Sequence, residues 1–236
     1  MNIRKQLLKQ KQEFMQALLD RQQQNRIKQW FPLEGPVSYD KYPRHMDFFQ
    51  AGAQYRERCF IAANRIGKTV SGAYETSCHL LGDMYPKWWE GRRFVQRAIT
   101  GWACGRTNET TRDIIQKTLL GPTRSQWGTG MIPKDRIVNV TNRQGVSEMA
   151  DTIYVKHSSG GTSALGLKSY QQGRESFEGT AKDIIWLDEE PDISIYNECL
   201  IRTATTNGLV YLTFTPLQGL SETVLSFMPG GKLPEQ

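Results

Sequence analysis

The chain has 236 residues, 38% of them hydrophobic, which is enough for one large α/β domain and hardly enough for a second domain of ordinary size. It has no apolar run of the roughly 18 residues that a membrane helix needs, and its amino terminus lacks the apolar stretch of a secretory signal. The net charge is +6, but residues 1–30 carry seven Lys or Arg against two acids, so residues 31–236 are nearly neutral. The composition of residues 31–236 alone therefore does not predict a nucleic-acid-binding protein.

Residues 1–36 are predicted to form a basic helical arm and a linker. Apolar residues such as Leu7 and Phe14 recur at roughly helical spacing, and the first Gly or Pro is Pro32. Such an arm could bind DNA, RNA, an acidic partner or nothing, and a solvated helix face is its commonest explanation. A short helix over 47–54 is predicted to follow the linker.

A phosphate-binding loop is predicted at positions 62–69, between a buried strand over 59–61 and a helix over 69–81. The segment reads AANRIGKT and fits the pattern G-x-x-x-x-G-K-[ST] except at its first position, where Ala62 replaces glycine. In such a loop, backbone N–H groups surround the phosphates, the lysine reaches the β- and γ-phosphate oxygens, and the Thr hydroxyl ligates Mg²⁺. The residues predicted to bind ATP here are Ala63, Asn64, Arg65, Ile66, Gly67, Lys68 and Thr69.

A second strand with acids at its end supports this interpretation. Residues 183–190 read DIIWLDEE, an apolar run ending in carboxylates, as expected of a core strand that delivers acids to the carboxyl edge of a parallel sheet. Asp188 is predicted to bind Mg²⁺, and Glu189 to orient and deprotonate the attacking water. Glu190 is the next candidate for that base.

The remaining pattern alternates strands with helices. Strands are predicted over 97–104, 152–156, 164–167 and 209–214, a helix over 109–120, and an irregular excursion with short strands over 122–150. Together with phosphate chemistry at strand ends, the alternation predicts a P-loop NTPase of the ASCE type, with a mostly parallel sheet flanked by helices. The four cysteines are far apart and form no C-x-x-C pair, which predicts reduced thiols in a cytosolic compartment and no zinc site.

The two motifs, together with the VYLTFTP segment at 210–216, resemble the ATPase domain of the large terminase subunit of tailed bacteriophages. The resemblance covers about residues 40–225. It implies a motor that hydrolyses ATP with Mg²⁺ in the host cytoplasm to drive double-stranded DNA into a procapsid. It also implies a portal protein and a small terminase subunit as partners, and a homo-oligomeric ring whose subunits could be monomeric in isolation. Thr213 and Thr215 match the family's motif that couples hydrolysis to movement.

The resemblance also implies a residue that reads the adenine base. The family often places a glutamine some twenty-odd residues before the P-loop lysine, but His45 stands 23 positions before Lys68 and the nearest glutamine is Gln50. Either His45 or Gln50 is therefore expected to contact the base.

An arginine finger is expected as well, to stabilise charge that develops on the γ-phosphate. Arg174 lies shortly before the acid strand, where the family has an arginine, and is expected to act on the ATP of a neighbouring subunit. Arg65, inside the phosphate loop, is the competing candidate within the same subunit, and Arg202 is a distant third.

The domain boundaries follow from these assignments: an arm and linker over 1–36, an ATPase core over 37–227, and a tail over 228–236. The resemblance implies a nuclease domain after the ATPase domain, and the nine residues after Phe227 leave no room for it, so nuclease activity is not expected in this chain. Two other functions stay open: a helicase-like ATPase that remodels DNA, and a module that binds nucleotide to organise assembly or docking. A small-molecule kinase is less favoured, because a base beside Asp188 suits attack by water.

Overall fold

The computed structural model describes residues 2–24, 26–217 and 219–228. Its strands are β1 (Glu57–Ile61), β2 (Thr100–Gly105), β3 (Ile137–Asn142), β4 (Ala150–Lys156), β5 (Thr162–Ser169), β6 (Ile184–Asp188) and β7 (Leu209–Phe214). Its helices are α1 (Asn2–Gln24), α2 (Pro43–Ala51), α3 (Lys68–Leu81), α4 (Asn108–Thr110), α5 (Lys117–Leu119), α6 (Ile193–Ala204) and α7 (Glu222–Ser226). Met1, Asn25, Gln218 and positions 229–236 of the predicted tail lie outside the described residues.

The seven strands form one sheet in the order β1-β7-β6-β2-β5-β4-β3. The five strands from β1 to β5 in this order are parallel, and β4 and β3 are added antiparallel at the far edge. One strand, β7, thus separates the strand before the phosphate loop from the strand that carries the acids. The predicted fold class, a mostly parallel sheet flanked by helices, is confirmed.

Both faces of the parallel strands are covered, which explains their continuous apolar sequences. Along β6, Ile184 and Trp186 pack into the core under α2 and α3, whereas Ile185 and Leu187 pack into the core under α6 and α7. The same alternation runs along β7. Side chains of successive strand residues point to opposite faces, so each strand contributes to two cores.

Helix α3 lies very close to the sheet at Gly72. A Cβ atom added at this glycine would meet the indole of Trp186 at 2.2 Å, well inside van der Waals contact. The absence of a side chain therefore allows the helix that follows the phosphate loop to sit directly on β6. The Trp186 indole is fully buried in this contact.

A buried ionic group lies under the same helix. The Arg58 guanidinium of β1 donates to the Glu75 carboxylate of α3, which also accepts at 3.0 Å from His79 Nε2. Arg58 also lies over the rings of Phe48 and Tyr211, at 4.9 and 5.1 Å from their centroids. These contacts tie β1, α2, α3 and β7 together around one charge pair.

Part of the predicted arm and linker packs into the core. Ile27 and Phe31 are buried in the core on the α3 side, and Phe31 packs edge-on against Phe49 and Tyr74. Earlier in the chain, apolar side chains of α1 such as Leu7 and Phe14 are exposed. In the described part of the chain, none of the helices combines the length and apolarity needed to span a bilayer.

Several predicted elements differ from the observed ones in extent. The helix predicted over 47–54 is α2, which begins earlier, at Pro43, because proline suits the first helical turn. The helix predicted over 109–120 is split into α4 and α5 by a π-helical segment, Thr111–Gln116. Within the predicted irregular excursion, residues 137–142 form β3 and residue 150 begins β4. Helix α6 has no counterpart in the sequence prediction.

Candidate nucleotide-binding site

The phosphate loop, residues 62–69, connects the end of β1 to the start of α3. Arg65 and Gly67 both have positive φ angles, 65° and 90°, which bend the loop sharply before the helix. Gly67 is the N-cap of α3, and its carbonyl accepts from the Ser71 N–H at 2.9 Å. The first-turn N–H groups of a helix have no partners within the helix, so this end of α3 provides donors for an anion.

The Lys68 ammonium group is held by three acceptors at the base of the loop. Its Nζ atom lies 2.9 Å from the Ala62 carbonyl, 2.7 Å from the Ala63 carbonyl and 2.9 Å from the Thr215 hydroxyl. Burial lowers the pKa of this lysine, and the two nearby carboxylates of the acid strand oppose that effect. The loop thus keeps a cation in place at the floor of the site.

Asp188, at the carboxyl end of β6, faces the start of α3. Its carboxylate accepts from Thr69 Oγ1 at 3.0 Å and from Thr213 Oγ1 at 2.7 Å. Thr213 in turn accepts from the Trp186 indole N–H at 2.7 Å. Burial raises the pKa of Asp188 to about 7, because two hydroxyl donors do not fully replace water around a carboxylate. Thr69 and Asp188 therefore form a pair of oxygen ligands suited to a cation.

Glu189 follows directly and has an unusual backbone. Its φ angle is 66°, in the left-handed region that non-glycine residues seldom adopt, and its N–H donates to the Thr213 carbonyl at 3.1 Å. Such conformations cost of the order of 1–3 kcal/mol and cluster at functional sites. The turn at Glu189 brings the side chain to the cavity beside the phosphate loop.

These residues open on one cavity of about 710 Å³, which is large enough for a nucleotide. Its lining combines the phosphate loop from Asn64 to Thr69, Glu189 and Thr213 with the aromatic side chains of Trp30, Phe31 and Tyr42. A cavity lined by both a cationic loop and aromatic side chains suits a ligand that has phosphates and a planar base. The motifs predicted from sequence thus converge on one site.

Comparison with known families identifies the chain. A family model described as terminase large subunit, T4likevirus-type, N-terminal, matches residues 59–230, which include the phosphate loop, the acid strand and β7. The chain belongs to the terminase large subunit family.

Individual relatives of this terminase include a curated protein and a solved structure. The large terminase subunit of Salmonella phage P22 is 36% identical to it over 205 residues, which are 79% of this chain and 41% of that protein. A structure of the large terminase from a thermophilic bacteriophage, in complex with ADP, shares 14% identity with a TM-score of 0.42. That match covers 82% of this chain and 37% of the phage enzyme's chain. This terminase chain therefore spans about two fifths of the length of these relatives.

Of the two residues expected to contact the base, only His45 lies at the cavity. Its Nε2 atom is 2.9 Å from the Ile66 carbonyl of the phosphate loop, and burial lowers the pKa of the ring. Gln50 lies outside the lining of this cavity, and its amide donates to Glu90 at 2.5 Å. The structure therefore does not bring Gln50 to the candidate site, because α2 begins at Pro43 and places it more than one turn beyond His45.

The candidate arginine fingers are divided between two places. Arg65 is exposed at the cavity, and no hydrogen bond or ion pair holds it within the described residues. Arg174 lies outside the cavity lining and pairs with Glu178 at 3.1 Å and Glu198 at 3.4 Å. Arg202 shares Glu198 with it, at 3.0 Å. Arg174 and Glu178 are 56% and 50% exposed, and an ion pair between such side chains contributes at most about 1 kcal/mol. Glu198 is buried, and Arg202 would remain as its partner if Arg174 moved to another anion.

Both candidate coupling residues contact residues of the acid strand or the phosphate loop directly. Thr213 donates to Asp188, and Thr215 accepts from Lys68 and lies 2.7 Å from Asn64 Oδ1. The sequence analysis missed Trp186, which holds Thr213 from the core side. Its position inside the acid strand was visible in the sequence, but the contact requires knowing that β6 and β7 are neighbours.

Proposed function

We propose that this chain is the ATP-hydrolysing motor domain of a phage large terminase, which drives double-stranded DNA into a procapsid. The observation that carries the proposal is that Lys68, Thr69 and Glu189 line one cavity of nucleotide size, and that Asp188 is hydrogen-bonded to Thr69 beside it. The P22 relative and the family model support the packaging role.

ATP binding is proposed to begin with the phosphate loop. The Lys68 ammonium exchanges its contacts with the Ala62 and Ala63 carbonyls for oxygens of the β- and γ-phosphates. Its present contacts keep it positioned before the nucleotide arrives, which reduces the conformational entropy lost on binding. Because Thr215 is one of these contacts, the exchange is felt at the end of β7.

The residues present also fit Mg²⁺. Thr69 and Asp188 place hydroxyl and carboxylate oxygens, the ligands that Mg²⁺ prefers, 3.0 Å apart, and the carboxylate is 3% exposed. Bound there together with phosphate oxygens, Mg²⁺ supplies positive charge that offsets the charge of the transferring phosphate. Thr213 holds the second side of the carboxylate and so fixes its orientation.

Glu189 is proposed as the base that orients and deprotonates the attacking water, since it lines the cavity next to Asp188. Arg174 is proposed to reach the ATP of a neighbouring subunit in a ring, with Arg65 as the alternative within the same site. Glu190 is the less favoured candidate for the base, because its carboxylate accepts from Ser221 and lines a different cavity.

The full motor is proposed to work in the host cytoplasm with a portal protein, a small terminase subunit and linear DNA as partners. Thr213 and Thr215 would report loss of the γ-phosphate to the DNA-gripping surface, because they contact Asp188 and Lys68.

The test is ATP turnover per subunit, measured against protein concentration with and without linear double-stranded DNA. Native protein should turn over faster at higher concentration and with DNA. Glu189→Gln should bind ATP without hydrolysing it, and Lys68→Ala should lose binding or turnover. Arg174→Ala should remove the concentration dependence, with Arg202→Ala as the matched control because Arg202 shares the Glu198 partner.

Turnover that survives in Glu189→Gln would contradict the base assignment. Turnover that is independent of concentration and unchanged in Arg174→Ala would contradict a shared site and give the finger role to Arg65. Slow turnover that DNA never stimulates, in any assembly state, would favour a module that binds nucleotide for docking.

A further inference from the structure

The hydroxyl of Tyr170 lies against the backbone of the candidate base. Tyr170 is the first residue after β5, and its side chain crosses the carboxyl end of β2 to reach the end of β6. The hydroxyl oxygen is 3.0 Å from the carbonyl oxygens of both Asp188 and Glu189, and 3.4 Å from that of Cys104. All three partners are acceptors, so the phenol acts as the donor.

Two successive carbonyls reach the same hydroxyl because the chain turns at Glu189. In an extended strand, successive carbonyl groups point in opposite directions, and one donor could not meet both. The φ angle of 66° at Glu189 breaks this alternation. The Glu189 N–H is meanwhile held by the Thr213 carbonyl at 3.1 Å. The residue is therefore fixed by β7 at its N–H and by Tyr170 at its carbonyl.

We infer that Tyr170 is a positioning residue for hydrolysis: its hydroxyl holds Glu189 in the left-handed conformation that presents the carboxylate to the cavity. This inference rests on the proposed ATP hydrolysis. Tyr170 is outside the cavity lining, so it acts through Glu189 and does not touch the nucleotide.

The surroundings of Tyr170 keep it a donor. Its ring packs against the core under α6, which leaves the hydroxyl little freedom to turn elsewhere. Burial raises the pKa of the phenol well above its ordinary value, and the nearby carboxylates add to this, so the proton stays on through the pH range of an assay. A phenylalanine at position 170 would fill the same space and leave the carbonyls of Asp188 and Glu189 without this donor.

The test is Tyr170→Phe, which removes the hydroxyl and keeps the ring. We expect kcat to fall by about 10-fold to 100-fold, because a misplacement of the base by about 1 Å has effects of this size. The Kd for ATP, measured separately, should change by less than about twofold, because the phosphate loop is untouched. Tyr196→Phe is the matched control: it deletes a hydroxyl bonded to Glu57 at the start of β1, and kcat should stay native.

The same variant in a Glu189→Asp background, which keeps a carboxylate but shortens its reach, separates positioning from general stability. If Tyr170 acts through Glu189, the second change should lower turnover by a smaller factor than it does in the native protein. A native kcat in Tyr170→Phe, or losses that multiply in the double variant, would overturn the inference. Should Tyr170→Phe fail to fold, Tyr170→His, whose shorter ring cannot reach the carbonyls, carries the same expectation.

A native protein that never hydrolyses ATP would count against the proposed function, not against the role of Tyr170. In that case the crystal structure of Tyr170→Phe decides. The Glu189 φ angle should leave the positive region, and a Glu189 backbone that keeps its native conformation would overturn the inference.

Discussion

Substituting Gly72 with alanine sets two opposing effects against each other. Alanine in a helix interior is favoured over glycine by about 1 kcal/mol. Against this, the new Cβ would lie 2.2 Å from Nε1 and 2.3 Å from Cε2 of the Trp186 indole, so the separation must grow by more than about 1 Å to reach ordinary contact. The indole is fully buried and cannot swing aside, so α3 has to move away from β6.

We expect the clash to win. Overpacking of a tight core costs about 1–3 kcal/mol, and the helix gain offsets about 1 kcal/mol of it, which leaves Gly72→Ala destabilised by up to about 2 kcal/mol. That corresponds to a fall in Tm of up to about 8 °C for a chain of this size. Urea unfolding gives the free energy directly. Gly72→Ser, with a bulkier side chain, should lose more.

Two controls separate the effects. Ser77→Ala, in the same helix, removes a buried hydroxyl that has no hydrogen-bond partner and should be neutral or stabilising. In a Trp186→Leu background, whose side chain ends before the indole atoms that meet the methyl group, Gly72→Ala should cost clearly less than in native protein. A stabilised Gly72→Ala, or an equal cost in both backgrounds, would refute the packing argument.

Three further outcomes follow from contacts described above. His45→Ala should raise the KM for ATP severalfold, whereas Gln50→Ala should not change it, because only His45 lines the cavity; equal effects in steady-state assays would contradict this. Glu75→Gln should cost about 3–5 kcal/mol in urea unfolding, because it leaves the buried Arg58 charge without its counterion, and a loss below about 1 kcal/mol would be inconsistent. In metal-free buffer, burial raises the pKa of Asp188 to about 7 from 3.8, so the folded protein keeps a proton that the unfolded chain releases. Stability should therefore fall by up to about 4 kcal/mol as the pH rises from about 4 to 7, and Asp188→Asn should flatten this dependence.

The sequence was most informative where one short segment determines the structure. Residues 209–214 form β7 as predicted, because a buried parallel strand is a continuous apolar run that turn residues bound. The phosphate loop was recognisable for a similar reason, since its glycine and lysine serve a local geometry. The helix α6 could have been found from Asp192 before an amphipathic pattern, which is a usual helix start.

Features that depend on which elements are neighbours in space could not be predicted from the sequence. The bond from Trp186 to Thr213 exists because β7 lies beside β6, and the sequence does not give strand order. The unequal placement of His45 and Gln50 depends on where α2 begins. The π-helical segment over 111–116 has no residue pattern that distinguishes it from an α-helix. The segment packs against β2 and β5, and these neighbours in space could not be predicted from the sequence.

The strand before the phosphate loop is the outermost strand of the parallel part, and in the described residues β1 has a strand partner on one side alone, which is β7. Within the sheet, β1 is therefore tied to the other strands by one row of hydrogen bonds, to β7, whereas the start of α3 reaches β6 directly through the bond from Thr69 to Asp188. A displacement at the phosphates thus has two routes to the acid strand, one through Lys68 and the threonines at the end of β7 and one through Thr69.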